Sequence, residues 1–227
     1  RAIDAVHAVS RSTWGVTAGS MSLQRLVSHL ISVARAVHYA HTQGVMHRDI
    51  KPDNILLGDS GEVYVVDWGL ASLMTESGRP IGTPAYMSPE QADGSLGDAS
   101  SDVYALGAVL YTLLAGRPPY AGASVGQTLH AVRTTEPDAL ADCTPLPPPP
   151  LQSVVARAMA RDRSRRFADA GAFAQALEDW ISGTERRKQA RRLLGLVLCL
   201  SLEVSIVLSW GKLLVVRLMQ ELSWRGW

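Results

Sequence analysis
The sequence predicts an α+β chain, mostly helical, with one β-hairpin beside a polar centre, and three observations carry that expectation. Leu23, Leu26, Val27, Leu30, Ile31, Ala34, Val37 and His41 recur at three- and four-residue steps, one face of an amphipathic helix that Gly44 ends. Ile55-Leu56-Leu57 and Val63-Tyr64-Val65-Val66 flank Gly58-Asp59-Ser60-Gly61, a loop of tightly turning residues, and so read as a hairpin. The run from Asp102 to Gly116 is apolar nearly all round, which in a helix demands burial.

Composition bounds what such a chain does. With 227 residues, 47% of them hydrophobic and 19% charged, it is long enough for one good core or two small ones. A net charge of +1 provides no global field for nucleic acid, which is not expected as a partner. Cys143 and Cys199 are too few for a disulfide framework or a metal cluster and fit a reducing compartment. The chain opens on Arg1 with no apolar leader, so a secretory signal is not expected and the start reads as a cut.

In chain order, residues 1–22 show no sustained period and read as a loop or a remnant of a preceding segment. The helix from Leu23 delivers the chain to the polar centre. His38 and His41 lie three apart on it, but no Cys or third His stands near, so they read as helix histidines rather than metal ligands. The hairpin follows, then residues 70–90, whose Gly and Pro punctuation reads as an exposed loop. The run opening with Asp102 is too short for a membrane span and reads as a core helix stopped by Gly116 and Pro118. A weaker helix begins at Ser124. Pro145 to Pro150 then interrupt the chain, as a stiff connector or as a ligand for a polyproline-binding partner. A helix with Phe173, Leu177, Trp180 and Ile181 on one face ends the lobe at Gly183.

The polar centre is His47-Arg48-Asp49-Ile50-Lys51-Pro52-Asp53-Asn54, followed across the hairpin by Asp67-Trp68-Gly69. Two carboxylates, a carboxamide, an ammonium and a guanidinium on short loops suit phosphoryl transfer to a hydroxyl, where positioning and charge neutralisation supply the catalysis. Asp49 can accept the hydroxyl proton and Lys51 can hold the γ-phosphate of ATP. Asn54 and Asp67 can offer hard oxygen ligands to Mg²⁺. The hairpin holds Asn54 at one end and Asp67 at the other, on one rigid edge.

At these residues the chain resembles the bacterial eukaryotic-like serine/threonine protein kinases, whose catalytic loop reads H-R-D-L-x-x-x-N and whose metal loop reads D-F-G. Ile50 replaces Leu and Trp68 replaces Phe, both exchanges within an apolar or aromatic class. The resemblance continues through Gly82-Thr83-Pro84-Ala85-Tyr86-Met87-Ser88-Pro89-Glu90, which matches the close of an activation segment. It implies that Thr83 hydrogen-bonds near Asp49 and Lys51 and helps accept a Ser or Thr substrate. It makes Thr75 and Ser77 candidate phosphosites, with Arg48 placed to pair with their phosphate. It implies that Asp102 caps the loop backbone near His47 and Arg48. Arg161 to Phe167 resembles the family's D-P-x-x-R-[YF] element with Arg163 in place of Pro, so Arg166 is expected to form a buried bidentate pair with Glu90.

Past the lobe, a basic stretch at 183–192 precedes eighteen residues, 193–210, whose single charge is Glu203. This pattern reads as a cytoplasmic stop followed by a transmembrane helix that anchors a cytoplasmic lobe in the bacterial membrane, with Trp210 at the far interface. The other reading is an amphipathic helix that packs on the lobe or on a second copy of the chain, giving a homodimer in the cytoplasm. Residues 211–227 read as an amphipathic tail.

The resemblance covers about residues 23–182, the C-terminal lobe of the family's fold. Gly15-Val16-Thr17-Ala18-Gly19 is too poor a glycine pattern to be the phosphate-covering loop, and no strand Lys or helix Glu partner is recognisable, so the N-lobe is read as absent. The expected function is therefore a kinase acting on protein Ser or Thr with Mg-ATP, here as a fragment inactive on its own. The alternative is a kinase-derived docking or scaffold module. Small-molecule phosphotransferases share H-x-D elements but lack the Gly82 to Glu90 run.

Overall fold
The computed structural model describes residues 21–58, 61–68 and 82–183, together with Arg186, Ala190, Arg217 and Met219. The chain divides into two units, Arg1–Ile181 and Ser182–Trp227. In the second, the four isolated described residues are helical and exposed. The candidate span at 193–210, all but these positions of the tail and most of the basic stretch lie outside the described residues, as do Thr75, Ser77 and Gly69. Among the described residues, no helix is long and apolar enough to cross a membrane.

The first unit is the mostly helical fold with a two-stranded sheet that the sequence predicts. Helix α1 (Leu23–Thr42) starts at Ser22, whose side chain accepts from Arg25 N, and it buries Leu26, Val27, Leu30, Ile31, Val33, Ala34 and Val37. Strands β1 (Ile55–Leu57) and β2 (Val63–Val65) pair antiparallel with Leu56 opposite Tyr64. The inward side of the hairpin packs on α1, and an apolar cavity of about 40 Å³ separates β1 from Leu26, Leu30, Val109 and Leu113.

A one-turn helix, α2 (Pro89–Ala92), is fixed by a reciprocal cap between Ser88 and Gln91. Helix α3 (Ala99–Ala115) is the centre of the core, with Val103, Leu106, Ala108 and Leu110 fully buried. At roughly 1.5–3 kcal/mol for each fully buried aliphatic side chain, this helix is a principal source of the lobe's cohesion. It packs on α1 and on α5 (Pro149–Ala158). Gly107 makes the second contact close: a Cβ there would lie 2.6 Å from Ala158 Cβ and 2.9 Å from Met159 Cγ. Helix α4 (Val125–Thr134) packs on α2 and on the turn at Pro84–Tyr86. Helix α6, residues 170–181 of this unit, buries Phe173, Ala174 and Leu177.

Two boundaries differ from the sequence expectation. Helix α3 begins three residues before Asp102, because Asp98 accepts from Ser100 N and Ser101 N and the Ser101 side chain accepts from Asp98 N in return. The polar turn Ala99-Ser100-Ser101 has no apolar stripe to announce it. The proline run carries the start of the next helix, which begins at Pro149 rather than at Leu151. Pro147 is buried, and Pro149 and Pro150 occupy the first turn of α5, where a missing N–H costs no helical hydrogen bond.

Candidate active site
The catalytic loop between α1 and β1 is held from below by Asp102, which is fully buried in the first turn of α3. Its Oδ2 accepts from His47 N at 2.8 Å and its Oδ1 from Arg48 N at 2.7 Å. His41, on the last turn of α1, puts Nε2 2.7 Å from the same Oδ2. The sequence left His41 as a helix histidine; nothing in a residue 61 positions away signals this bond. One carboxylate thus gathers three donors from two segments, and removing it would leave buried N–H groups unpaired.

His47 is fully buried and reaches upward: its Nε2 lies 3.1 Å from Val66 O, and its ring sits 4.6 Å from that of Trp68. Trp68 Nε1 donates to Val65 O at 2.9 Å, so the aromatic that replaces Phe also pins the end of β2. Val66 N donates to Asn54 O at 2.9 Å. These bonds set Asp67, next to Val66, beside Asn54 on one edge of the hairpin. Asp67 is exposed, and its backbone is left-handed at φ 66. Arg48 is left-handed as well, at φ 70, and these are the two such non-glycine residues among those described. Each is a conformation of roughly 1–3 kcal/mol that the surrounding bonds must hold.

The candidate catalytic groups converge above this frame. Lys51 Nζ lies 2.8 Å from Asp49 Oδ2 and donates to Thr83 Oγ1 at 2.7 Å, while Thr83 N donates to Asp49 Oδ1 at 2.9 Å. Asp49, 7% exposed, is therefore tied at both carboxylate oxygens. Asn54 Nδ2 donates to Asp49 O at 2.9 Å and lies 3.4 Å from Asp49 Oδ2, which leaves Asn54 Oδ1 as the atom it can offer a cation. A Cβ on Gly82, at φ 121, would meet Asp49 Oδ1 at 3.1 Å, so glycine lets this segment approach the carboxylate. The arrangement brings together Asp49, Lys51, Asn54 and Thr83, and sets Asp67 on the adjoining edge.

Glu90 and Arg166 form the second anchor. Arg166, with a fully buried side chain, donates through Nη1 to Glu90 Oε1 at 2.7 Å and through Nη2 to Glu90 Oε2 at 2.9 Å. Its Nε donates to Ala160 O at 2.8 Å, Nη1 also reaches Ser100 O, and the guanidinium lies over the Tyr104 ring. Burial alone would raise the Glu90 pKa. The bonds from Arg166 and from Ser101, whose hydroxyl donates at 2.7 Å, outweigh it and hold Glu90 at about 2. Arg163, standing where the family pattern has Pro, pairs with Asp98 and lies 3.9 Å from Glu90.

Sequence reasoning missed Ser101, Gln91 and Asp98. Their contacts to Glu90, Arg48 and Arg163 carry no local signal, while the Asp98–Ser101 and Ser88–Gln91 caps are local patterns that could have been read. Cavity size would not have found the site either. A cleft of about 710 Å³ lies elsewhere, between Tyr111, the 136–141 loop, Met159 and Arg165, and includes none of the catalytic loop.

A helical lobe whose buried carboxylate clamps a catalytic loop against a hairpin, with a bidentate Glu–Arg anchor behind it, defines a protein kinase lobe. Residues 4–181 match the family described as protein kinase domain, and the chain belongs to that family. Among its curated relatives are bacterial serine/threonine kinases. It is 37% identical over 174 residues to the probable serine/threonine-protein kinase PknB of Bifidobacterium longum, covering 73% of this chain and 25% of that protein. It is 40% identical over 159 residues to the DNA damage-responsive serine/threonine-protein kinase RqkA of Deinococcus radiodurans, 67% of this chain and 24% of that one. Against the serine/threonine-protein kinase PknB of Mycobacterium tuberculosis the identity is 36% over 170 residues, 68% and 26%. The chain spans about a quarter of the length of these relatives.

Proposed function
We propose that this chain is the C-terminal lobe, residues 23–182, of a serine/threonine protein kinase that transfers the γ-phosphate of ATP to protein Ser or Thr hydroxyls. The observation that carries the reading is the closed arrangement of Asp49, Lys51 and Thr83, with Asn54 behind it. Asp49 takes the acceptor hydroxyl's proton, and its two tied oxygens fix the direction from which that proton arrives. Lys51, already between Asp49 and Thr83, neutralises charge on the transferring phosphate. Thr83 lines the acceptor's approach.

The donor set fits Mg²⁺. Asn54 and Asp67 offer one carboxamide and one carboxylate oxygen from adjacent positions, and a cation that keeps several waters and shares phosphate oxygens needs few protein ligands. Bound there, the ion would neutralise phosphate charge. Among the described residues no cluster of three His, Cys, Asp or Glu side chains competes for a metal. Thr75 and Ser77 remain the proposed phosphosites on the segment that Arg48 serves.

The lobe that covers the nucleotide is proposed to lie outside these 227 residues, and 193–210 to anchor the cytoplasmic lobe in the membrane. Leucine and valine contribute about −0.3 to −0.6 kcal/mol each to insertion. Together they offset a Glu203 cost of roughly 2.5–3.5 kcal/mol. Carbonate extraction of membranes tests the anchor: retention of the parent protein that is lost on deleting 193–210 supports it. For the activity, the parent protein with Mg-ATP should label a protein substrate on Ser or Thr, and labelling should stop on chelation. Labelling of small hydroxyl compounds instead of protein would reverse the substrate assignment.

A further inference from the structure
Gln91 belongs to α2, outside the residues to which the sequence assigns chemistry, and it is 4% exposed. Its amide is used on both sides. Oε1 accepts from Ser88 N and Ser88 Oγ, both at 3.1 Å, while Nε2 donates to Arg48 O at 2.9 Å. Arg48 is the left-handed residue whose N–H already donates to Asp102 Oδ1. The residue before Asp49 is therefore gripped at its N–H from α3 and at its carbonyl from α2. That carbonyl shares a rigid plane with Asp49 N, which lies 3.3 Å from His47 Nδ1. Holding the carbonyl sets the plane, and the plane sets where the Asp49 side chain leaves the backbone.

We propose that Gln91 is a positioning residue that fixes the Arg48–Asp49 peptide and so aims the Asp49 carboxylate, coupling the end of the acceptor-side segment to the proton acceptor. The inference rests on the reading of Asp49 given above. The side chain must accept from Ser88 and donate to Arg48 O at once, which a carboxamide does and an ionised carboxylate does not.

The test uses the whole parent protein and the variants Gln91→Glu and Gln91→Met. Leaving the Arg48 carbonyl without its donor should lower kcat by roughly 10- to 100-fold, with KM for ATP within about twofold of the parent. A carboxyl this buried protonates above its ordinary range and then regains an O–H donor for Arg48 O. The activity of Gln91→Glu relative to the parent should therefore rise as pH falls from about 8 to about 6, whereas that of Gln91→Met stays flat. A flat ratio for Gln91→Glu, or Gln91→Met within twofold of the parent, overturns the proposal.

Hydrogen exchange provides a readout independent of turnover. The amides of Arg48 and Asp49 should exchange about tenfold faster in Gln91→Met while those of α1 are unchanged. Unchanged exchange at Arg48 and Asp49 overturns the inference even in an active enzyme. A parent protein that phosphorylates nothing overturns the proposed function instead, and the exchange data then decide the role of Gln91 alone.

Discussion
Two ion pairs less than one lobe apart use their charges in opposite ways. Lys51 meets Asp49 through one ammonium, shares it with Thr83 and keeps a side chain that is still 19% exposed. Arg166 meets Glu90 through two parallel bonds, spends its remaining donors on Ala160 O and Ser100, and is wholly buried. An ammonium on a flexible stem can exchange partners when a phosphate arrives; a buried planar guanidinium held through all three of its nitrogens cannot. In the proposed transfer the first pair would open and the second stay closed.

The comparison breaks first at the anchor. Arg166→Ala would strand Glu90 against the lobe and should cost about 3–5 kcal/mol of stability in a denaturant melt. Arg166→Lys should recover only part of this, because one ammonium cannot reproduce the fork. At the other pair, Lys51→Ala should cost less, about 1–3 kcal/mol in the same melt, because Asp49 keeps its bond from Thr83 N. Its turnover should fall by roughly 10²–10³, as for loss of an electrostatic donor. A Lys51 variant that unfolds the lobe while keeping turnover would invert the contrast.

The anchor also carries a pH signature. Glu90 is held at about 2, below its ordinary 4.5, so its contribution is complete above about pH 4.5 and is lost as pH falls through about 2. Acid titration of stability should show this loss in the parent, and Glu90→Gln should flatten it. The smallest effect is expected at Trp68→Phe, which forfeits the bond to Val65 O but keeps a ring beside His47. A cost of about 0.5–1.5 kcal/mol should appear in the melt.

The two regions were not equally legible in the sequence. Asp49, Lys51, Asn54 and Asp67 lie within 19 positions, and their residue types name their chemistry. The hairpin was legible because Gly58 and Gly61 announce the turn between two apolar runs. Glu90 and Arg166 lie 76 positions apart, and only the family resemblance joined them. The left-handed backbone at Arg48 had no local sign; bonds from Gln91 to its carbonyl and from its N–H to Asp102 hold it, whereas Asp67 is of a type that tolerates this region. The start of α3 was misread for a different, local reason. Its polar first turn is set by a cap at Asp98 rather than by an apolar stripe.

The most direct measurement is phosphorylation of protein by the parent chain in Mg-ATP, beside its Asp49→Asn variant. The account predicts transfer to Ser or Thr that falls by roughly 10²–10⁴ in the variant, because the carboxamide cannot take the proton, with only a small change in the melt, because its single oxygen still keeps one of the two bonds that Asp49 accepts. An Asp49→Asn variant as active as the parent would contradict it.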